Sequence, residues 1–234
     1  MKALSSIRNL SALLGFIAFV SIANADSDAP ETTLEGLVLL EGTELSTVYV
    51  RPGATLDQYT KVVLFDAYVA FRKNWDRDYN RNVMPGATRA RPEDMEKIKT
   101  SLAVEFKNVF TEELQDKRGY EIVETAGYDT LVVKPAIINL DVTVPQLRNT
   151  GLDRNVVTSA GSMTLWMELY DSVTGEIIAR VIDPAADNRG GFAYRVSSTS
   201  NRNAARKILR EWAGVLGDNL AEISEATTWE VTEE

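Results

Sequence analysis

Ser162-Met163-Thr164-Leu165-Trp166-Met167-Glu168-Leu169-Tyr170-Asp171 alternates without a break. Met163, Leu165, Met167 and Leu169 fall on one parity; Ser162, Thr164, Trp166, Glu168 and Tyr170 fall on the other. Successive side chains of a strand point to opposite faces, so this period of two predicts a half-buried strand with an aromatic outer face. Ser172 to Gly175 supplies turn residues, and Glu176 to Ile182 returns as the second arm of a hairpin. Upstream, Leu131 to Val144 predicts a longer strand. Pro135 lies inside it and has no N–H for a ladder, so it requires a bulge, a strand start or an edge position.

Two segments switch to steps of three and four. Pro92 opens the first, with Glu93 and Asp94 in the first turn, where the helix dipole favours acids. Met95, Ile98, Leu102, Phe106, Val109, Phe110 and Leu114 form its apolar stripe; Lys117 and Arg118 close it, and Gly119 stops it. The second runs from about Asn201 to Ser224, with Ser200 or Asn201 as the N-cap. Its stripe is Ala205, Ile208, Trp212, Val215, Leu216, Leu220 and Ile223. Thr47 to Val50, Lys61 to Phe71 and Tyr120 to Glu124 predict further strands, the second apolar enough to be covered on both faces. Arg72 to Arg91, Gln146 to Ser159 and Asp183 to Ser200 read as polar loops. This order predicts an α+β fold: a single-domain two-layer sandwich, its mixed or antiparallel sheet carrying two long helices on one face.

The N-terminus reads as a secretory leader. Lys2 and Arg8 precede an uncharged apolar run, Leu10 to Ile22, of 13 residues. That is short of the roughly 20 needed to span a bilayer. Ala23-Asn24-Ala25 then offers small residues to a signal peptidase. The expected organisation is a signal peptide over 1–25, a flexible lead-in over 26–45, the α+β domain over 46–226 and an acidic tail over 227–234. The mature chain is expected in the periplasm or secreted, with no transmembrane segment after cleavage.

Composition excludes several chemistries. The chain holds 25 Lys and Arg against 34 Asp and Glu, and its formal charge of −9 becomes −11 once Lys2 and Arg8 leave with the leader. So acidic a chain is no general nucleic-acid binder. It has no cysteine, hence no disulfide, no thiolate nucleophile and no lipid-modified cysteine as an anchor. It has no histidine, which removes a Ser-His-Asp system and the ordinary zinc sites. Asp76-Arg77-Asp78-Tyr79-Asn80-Arg81-Asn82 spaces oxygen ligands as a calcium loop does, but Arg81 stands where the turn glycine belongs and Ala87 where the closing glutamate belongs. Asn188-Arg189-Gly190-Gly191 lacks the Lys-Ser/Thr of a phosphate loop. No metal or cofactor is called for, and no catalytic residue is assigned.

The charge is unevenly spread. Arg72 to Arg91 holds six bases and two acids, as does Asp183 to Arg210, and the rest of the mature chain is strongly acidic. Aromatics interleave with these bases. The two segments read either as solvated loops or as a surface for an anionic partner, with Trp75, Arg77, Tyr79, Arg81, Arg189, Phe192 and Arg195 as its binding residues. If the long helices run parallel, both segments emerge at one end of the molecule.

Val48-Tyr49-Val50-Arg51-Pro52-Gly53-Ala54, Tyr59 and Lys61-Val62-Val63-Leu64 resemble the opening of the bacterial family called domain of unknown function 3313. The Pro-started helix, the strand ending near Asp141-Val142-Thr143-Val144-Pro145, the Asp171 to Glu176 hairpin and the closing helix follow in the same order. The resemblance covers about Leu45 to Glu225. It implies an exported envelope protein; members are often lipoproteins, but the lipobox cysteine is missing here. It implies no chemistry. The leading reading is a non-enzymatic binding or assembly module whose partner is an envelope protein or another anionic envelope component. The alternative is a carboxylate-dependent hydrolase of envelope glycans, and a third reading is a structural subunit of an outer-membrane complex. The oligomeric state stays open.

Overall fold

The computed structural model describes residues 31–83, 89–142, 156–157, 161–187, 194–195 and 197–230, with the backbone alone for 156–157, 194–195, 198 and 219–230. Eight strands form one open sheet: β1 (Val38–Leu40), β2 (Thr47–Val50), β3 (Lys61–Leu64), β4 (Tyr68–Phe71), β5 (Glu121–Ile122), β6 (Thr130–Val142), β8 (Gly161–Asp171) and β9 (Ile177–Ala186). A separate pair joins β7 (Val156–Val157) to β10 (Tyr194–Arg195). The helices are α1 (Trp75–Asn82), α2 (Pro92–Thr111, prolonged by a π-helical turn over Glu112–Asp116) and α3 (Ser198–Glu230). The sheet runs β1-β2-β9-β8-β6-β3-β5, with β4 also on β6. It is mixed: β3 and β4 lie parallel to β6, and β6, β8, β9, β2 and β1 pair antiparallel in turn. This is the expected α+β arrangement.

The alternation in β8 becomes burial. Met163, Leu165, Met167 and Leu169 are buried, and the residues between them are not. They meet Leu102, Phe106, Val109, Phe110 and Leu114 of α2 and Ile208, Leu209, Trp212, Ala213 and Leu216 of α3 in one core. The helices run in the same direction. Arg206 of α3 bonds Glu105 of α2, and Arg118, just past the end of α2, reaches Asp218 far along α3. Their N-termini therefore lie at one end of the sandwich.

Several details differ from the sequence reading. Lys61 to Phe71 is two strands, not one. The chain leaves the ladder at Phe65-Asp66-Ala67, where Asp66 turns outward to pair with Lys107 at 2.7 Å. Nor is this stretch covered on both faces: Phe65 is 49% exposed and Tyr68 67%. The gap explains Pro135. Phe65 N–H donates to the Val133 carbonyl at 3.0 Å, so the backbone groups of alternate β6 residues face this edge. The Pro135 nitrogen falls between the β3 and β4 pairings, where no ladder bond is required.

Residues 72–91 are not all loop, since α1 forms within them. Asp76 and Asp78 sit in its first turn and Arg81 in its last, as the dipole favours. The lead-in is not loose from residue 31 onward: Leu37 is fully buried beside Tyr49 and Ile177, and β1 pairs with β2. The N-cap of α3 is Ser197, whose Oγ accepts the Ser200 N–H at 3.0 Å. That helix also continues beyond Ser224 into the stretch read as an acidic tail. Gly119, at φ 76°, reverses the chain after α2, and the Tyr120 N–H then closes on the Leu114 carbonyl.

Candidate functional site

An irregularity in β6 builds the site. Buried and outward positions alternate through Ile137, and a bulge between Ile138 and Asp141 then inserts one extra residue. Asn139 absorbs it at φ 53°, a conformation its short polar side chain tolerates. The parity flips. Leu140 turns into the core, and Asp141 turns toward α1. Across the ladder, Gly161 at φ 147° lets β8 approach: a Cβ there would stand 2.0 Å from the Asp141 carbonyl oxygen.

The Asp141 carboxylate fastens α1. It accepts Arg72 Nε at 2.6 Å and the Trp75 indole N–H at 3.1 Å. Arg72 also binds Asp78 at 2.9 Å, and this ion pair holds the Asp78 carboxyl below the usual carboxylate range. Trp75 is 2% exposed, tilted against Phe71 at 4.4 Å and stacked on Tyr79 at 5.2 Å. Asn80 brackets the Ala90 backbone, accepting its N–H at 2.8 Å and donating to its carbonyl at 3.1 Å. Helix α1 is thus clamped behind the start of α2.

In front of that clamp lies a cavity of about 410 Å3. The N-terminal turns of α2 and α3, the adjoining ends of β6 and β8, and Asp187 just past β9 line it. Its walls are aliphatic, formed chiefly by Ile98, Leu102, Leu140, Val142, Met163 and Ile208. Arg89, Lys97 and Arg202 stand among its lining residues, and all three are exposed. Arg89 and Lys97 make no hydrogen bond or ion pair among the described residues, and Arg202 reaches Glu105 only at 3.9 Å. The acids of the lining are engaged. Asp94 accepts the Arg91 N–H at 3.3 Å, Glu105 binds Arg206, and Asp141 holds Arg72 and Trp75. Asp187 is buried and not free. Among the described residues no group of three or more acidic side chains is placed to hold a metal ion.

The binding residues expected from sequence separate. Trp75 is core, because its indole is enclosed and bonded to Asp141, so it is no surface anchor. Tyr79 is half-buried on it; its hydroxyl finds no partner among the described residues, and burial pushes its pKa up. Arg77 is exposed, 3.9 Å from Asp78, and Arg81 is exposed on the last turn of α1. The Arg195 backbone in β10 pairs with Val156 of β7, bringing residues of two expected loops together. The Arg195 side chain, Arg189 and Phe192 lie outside the described residues. Sequence reasoning passed over the cavity because Ile98, Leu102, Met163 and Ile208 belong to stripes that look like ordinary core. Nothing in a stripe says which of its turns meets a filled layer.

No curated protein matches the sequence. Similar solved structures include the PelC dodecamer from Paraburkholderia phytofirmans, 11% identical, covering 73% of this chain and 98% of that chain with a TM-score of 0.35. Another is the minor lipoprotein from Acinetobacter baumannii, 13% identical, covering 69% of this chain and 94% of that chain with a TM-score of 0.34. Both likenesses are too distant to transfer a site or a partner. The family described as Protein of unknown function (DUF3313) matches residues 39–216, well over half of the sequence, with the hairpin, the bulged strand, α2 and the first part of α3 inside the match. The chain belongs to that family.

Proposed function

We propose that this protein is exported, loses residues 1–25, and works in the periplasm as a non-enzymatic binding module. Its ligand enters the cavity between the N-terminal turns of α2 and α3. The observation that carries this reading is the state of the cavity's acids: Asp94, Glu105 and Asp141 each serve a cap or an ion pair, and Asp187 is buried and engaged. Hydrolysis of a glycan requires two available carboxylates flanking one bond. An aliphatic enclosure with bases at its mouth is instead suited to holding a ligand. Without a lipobox cysteine the mature protein is not lipid-anchored, and among the described residues no helix is long and apolar enough to cross a membrane.

Two measurements test the reading. Intact mass of the chain released by osmotic shock is expected to correspond to a start at Asp26. Fractions of envelope extract, lipid and glycan alike, are then screened by thermal shift against the wild type and against Ala205→Trp, which fills the cavity. At least one fraction is expected to stabilise the wild type alone. A chain retained with residue 1, or no fraction that distinguishes the two proteins, overturns the proposal.

A further inference from the structure

We infer that the cavity takes a single acyl chain bearing an anionic head: a fatty acid or a one-chain phospholipid rather than a glycan fragment. This inference rests on the binding reading above and names the ligand class. Three observations converge on it. The first is the lining. Most of its surface is apolar, from Ile98, Leu102, Leu140, Val142, Met163 and Ile208. Ser101, Ser162 and Asn201 are the neutral polar side chains of the lining, few for the many hydroxyls of a sugar, and a hydroxyl left without a partner is costly. A methylene chain has no such requirement and gains free energy from every group that leaves water. The second is size. A volume of about 410 Å3 lies near the lower end of the range for small-molecule sites, roughly 300–1,000 Å3, which suits one chain better than two.

The third is charge. With the lining acids committed elsewhere, Arg89 and Lys97 stand without partners among the described residues, and Arg202 is only weakly paired. The first turns of α2 and α3 point their N-terminal ends toward the same space, and the positive ends of the two helix dipoles add to the field of these bases. An anionic head placed at the mouth would meet these bases while its tail lies along Leu140 and Met163. The bases are exposed, so the head group keeps contact with water, and salt screens its attraction over about 10 Å at 0.1 M. The tail then supplies most of the affinity and the head supplies orientation.

The test displaces 1-anilinonaphthalene-8-sulfonate from the full mature chain with four probes: hexadecanoate, a palmitoyl lysophosphatidate, hexadecanol and butyrate. Saturable displacement by hexadecanoate, by lysophosphatidate or by both is expected, and comparing the two identifies a carboxylate or a phosphate head. Hexadecanol and butyrate are each expected to compete more weakly by about tenfold or more. Arg89→Glu with Lys97→Glu is expected to weaken the acyl anions by a similar factor and leave hexadecanol unchanged. Both side chains are exposed, so this variant folds even if Ala205→Trp does not; circular dichroism checks each. Equal binding of hexadecanol, equal binding of butyrate, or no effect of the charge reversal overturns the inference. If a glycan fraction stabilises the wild type alone while neither acyl anion binds, the ligand class is wrong and the binding reading stands. If nothing binds, both fall.

Discussion

The indole N–H of Trp212 donates to Oδ2 of Asp183 at 2.7 Å, fastening α3 to β9. Oδ1 of the same carboxylate accepts the Ser46 backbone N–H at 2.8 Å and its hydroxyl at 2.7 Å. One side chain thus ties the closing helix, an interior strand and the entry to β2. Trp212→Ala is expected to cost about 3–5 kcal/mol, since the ring is 2% exposed. Trp212→Phe keeps most of the packing but loses the bond, and is expected to cost about 1–2 kcal/mol. Urea titration measures both. A loss below about 1 kcal/mol for the alanine variant would mean that the ring does not pack in the core.

Arg118 lies across Gly217. Its guanidinium binds Glu113 at 3.2 Å, the Gly214 carbonyl at 3.1 Å and Asp218 at 2.6 Å, and a Cβ on Gly217 would stand 2.1 Å from its Cδ. The Glu113 side chain is 7% exposed, so it depends on this partner and on Lys117. Arg118→Ala and Gly217→Ala are each expected to destabilise by about 2–3 kcal/mol, below the range for a fully enclosed pair because the Asp218 end meets water. The double variant is expected to lose less than the sum, since both act on one contact. Strict additivity in denaturant titrations would separate the two effects.

The Arg180 guanidinium bonds Glu35 and draws its carboxyl from the ordinary 4.5 down to about 2, aided by the backbone and by Thr33. The folded value lies below the unfolded one. The contribution is therefore full above pH 4.5 and is lost as pH falls toward 2. Stability is expected to decline across this window, and Glu35→Gln is expected to make the decline shallower. Unfolding curves at stepped pH measure it. An unchanged acid limb would mean that the pair does not form in solution.

Tyr59 tests the opposite limb. Burial, and then its hydrogen bond to Asp171, push its hydroxyl up to about 12 from the ordinary 10. Here the protonated form is the stable one in the fold. Its contribution is present below pH 10 and is lost as pH rises toward 12. Tyr59→Phe is expected to be less stable at neutral pH and to show a flatter alkaline decline. Tyrosinate absorbance at rising pH, recorded on both proteins, isolates the residue.

Asp141→Ala is expected to release both Arg72 and Trp75 and to unfasten α1 while α2 and α3 persist. Amide exchange should accelerate across residues 75–82, with a global loss of about 1–3 kcal/mol for stranding the indole N–H. Retained protection in α1 would mean that its ring stacking suffices without the carboxylate.

The sequence by itself determined whatever is periodic or local. The alternation of β8 is the burial pattern of β8, the stripe of α2 is its buried face, and Gly119 ends the helix by adopting positive φ. The motif from Val48 to Ala54, with Tyr59, Lys61 to Leu64 and the order of elements after them, pointed to the family that matches residues 39–216. Tertiary structure alone decided the remainder. Trp75 and Tyr79 stand one helical turn apart, a signal of α1, yet eight residues this polar form a helix only because Asp141 and Phe71 meet them from a distant strand. Asp141 faces them only because Asn139 takes up an extra residue and flips the parity of β6. The cavity is the space left where two parallel helices begin beyond the last filled layer between them and the sheet. A stripe records which residues face inward; how completely two facing stripes fill the gap between them depends on register and axial offset, which no local pattern encodes.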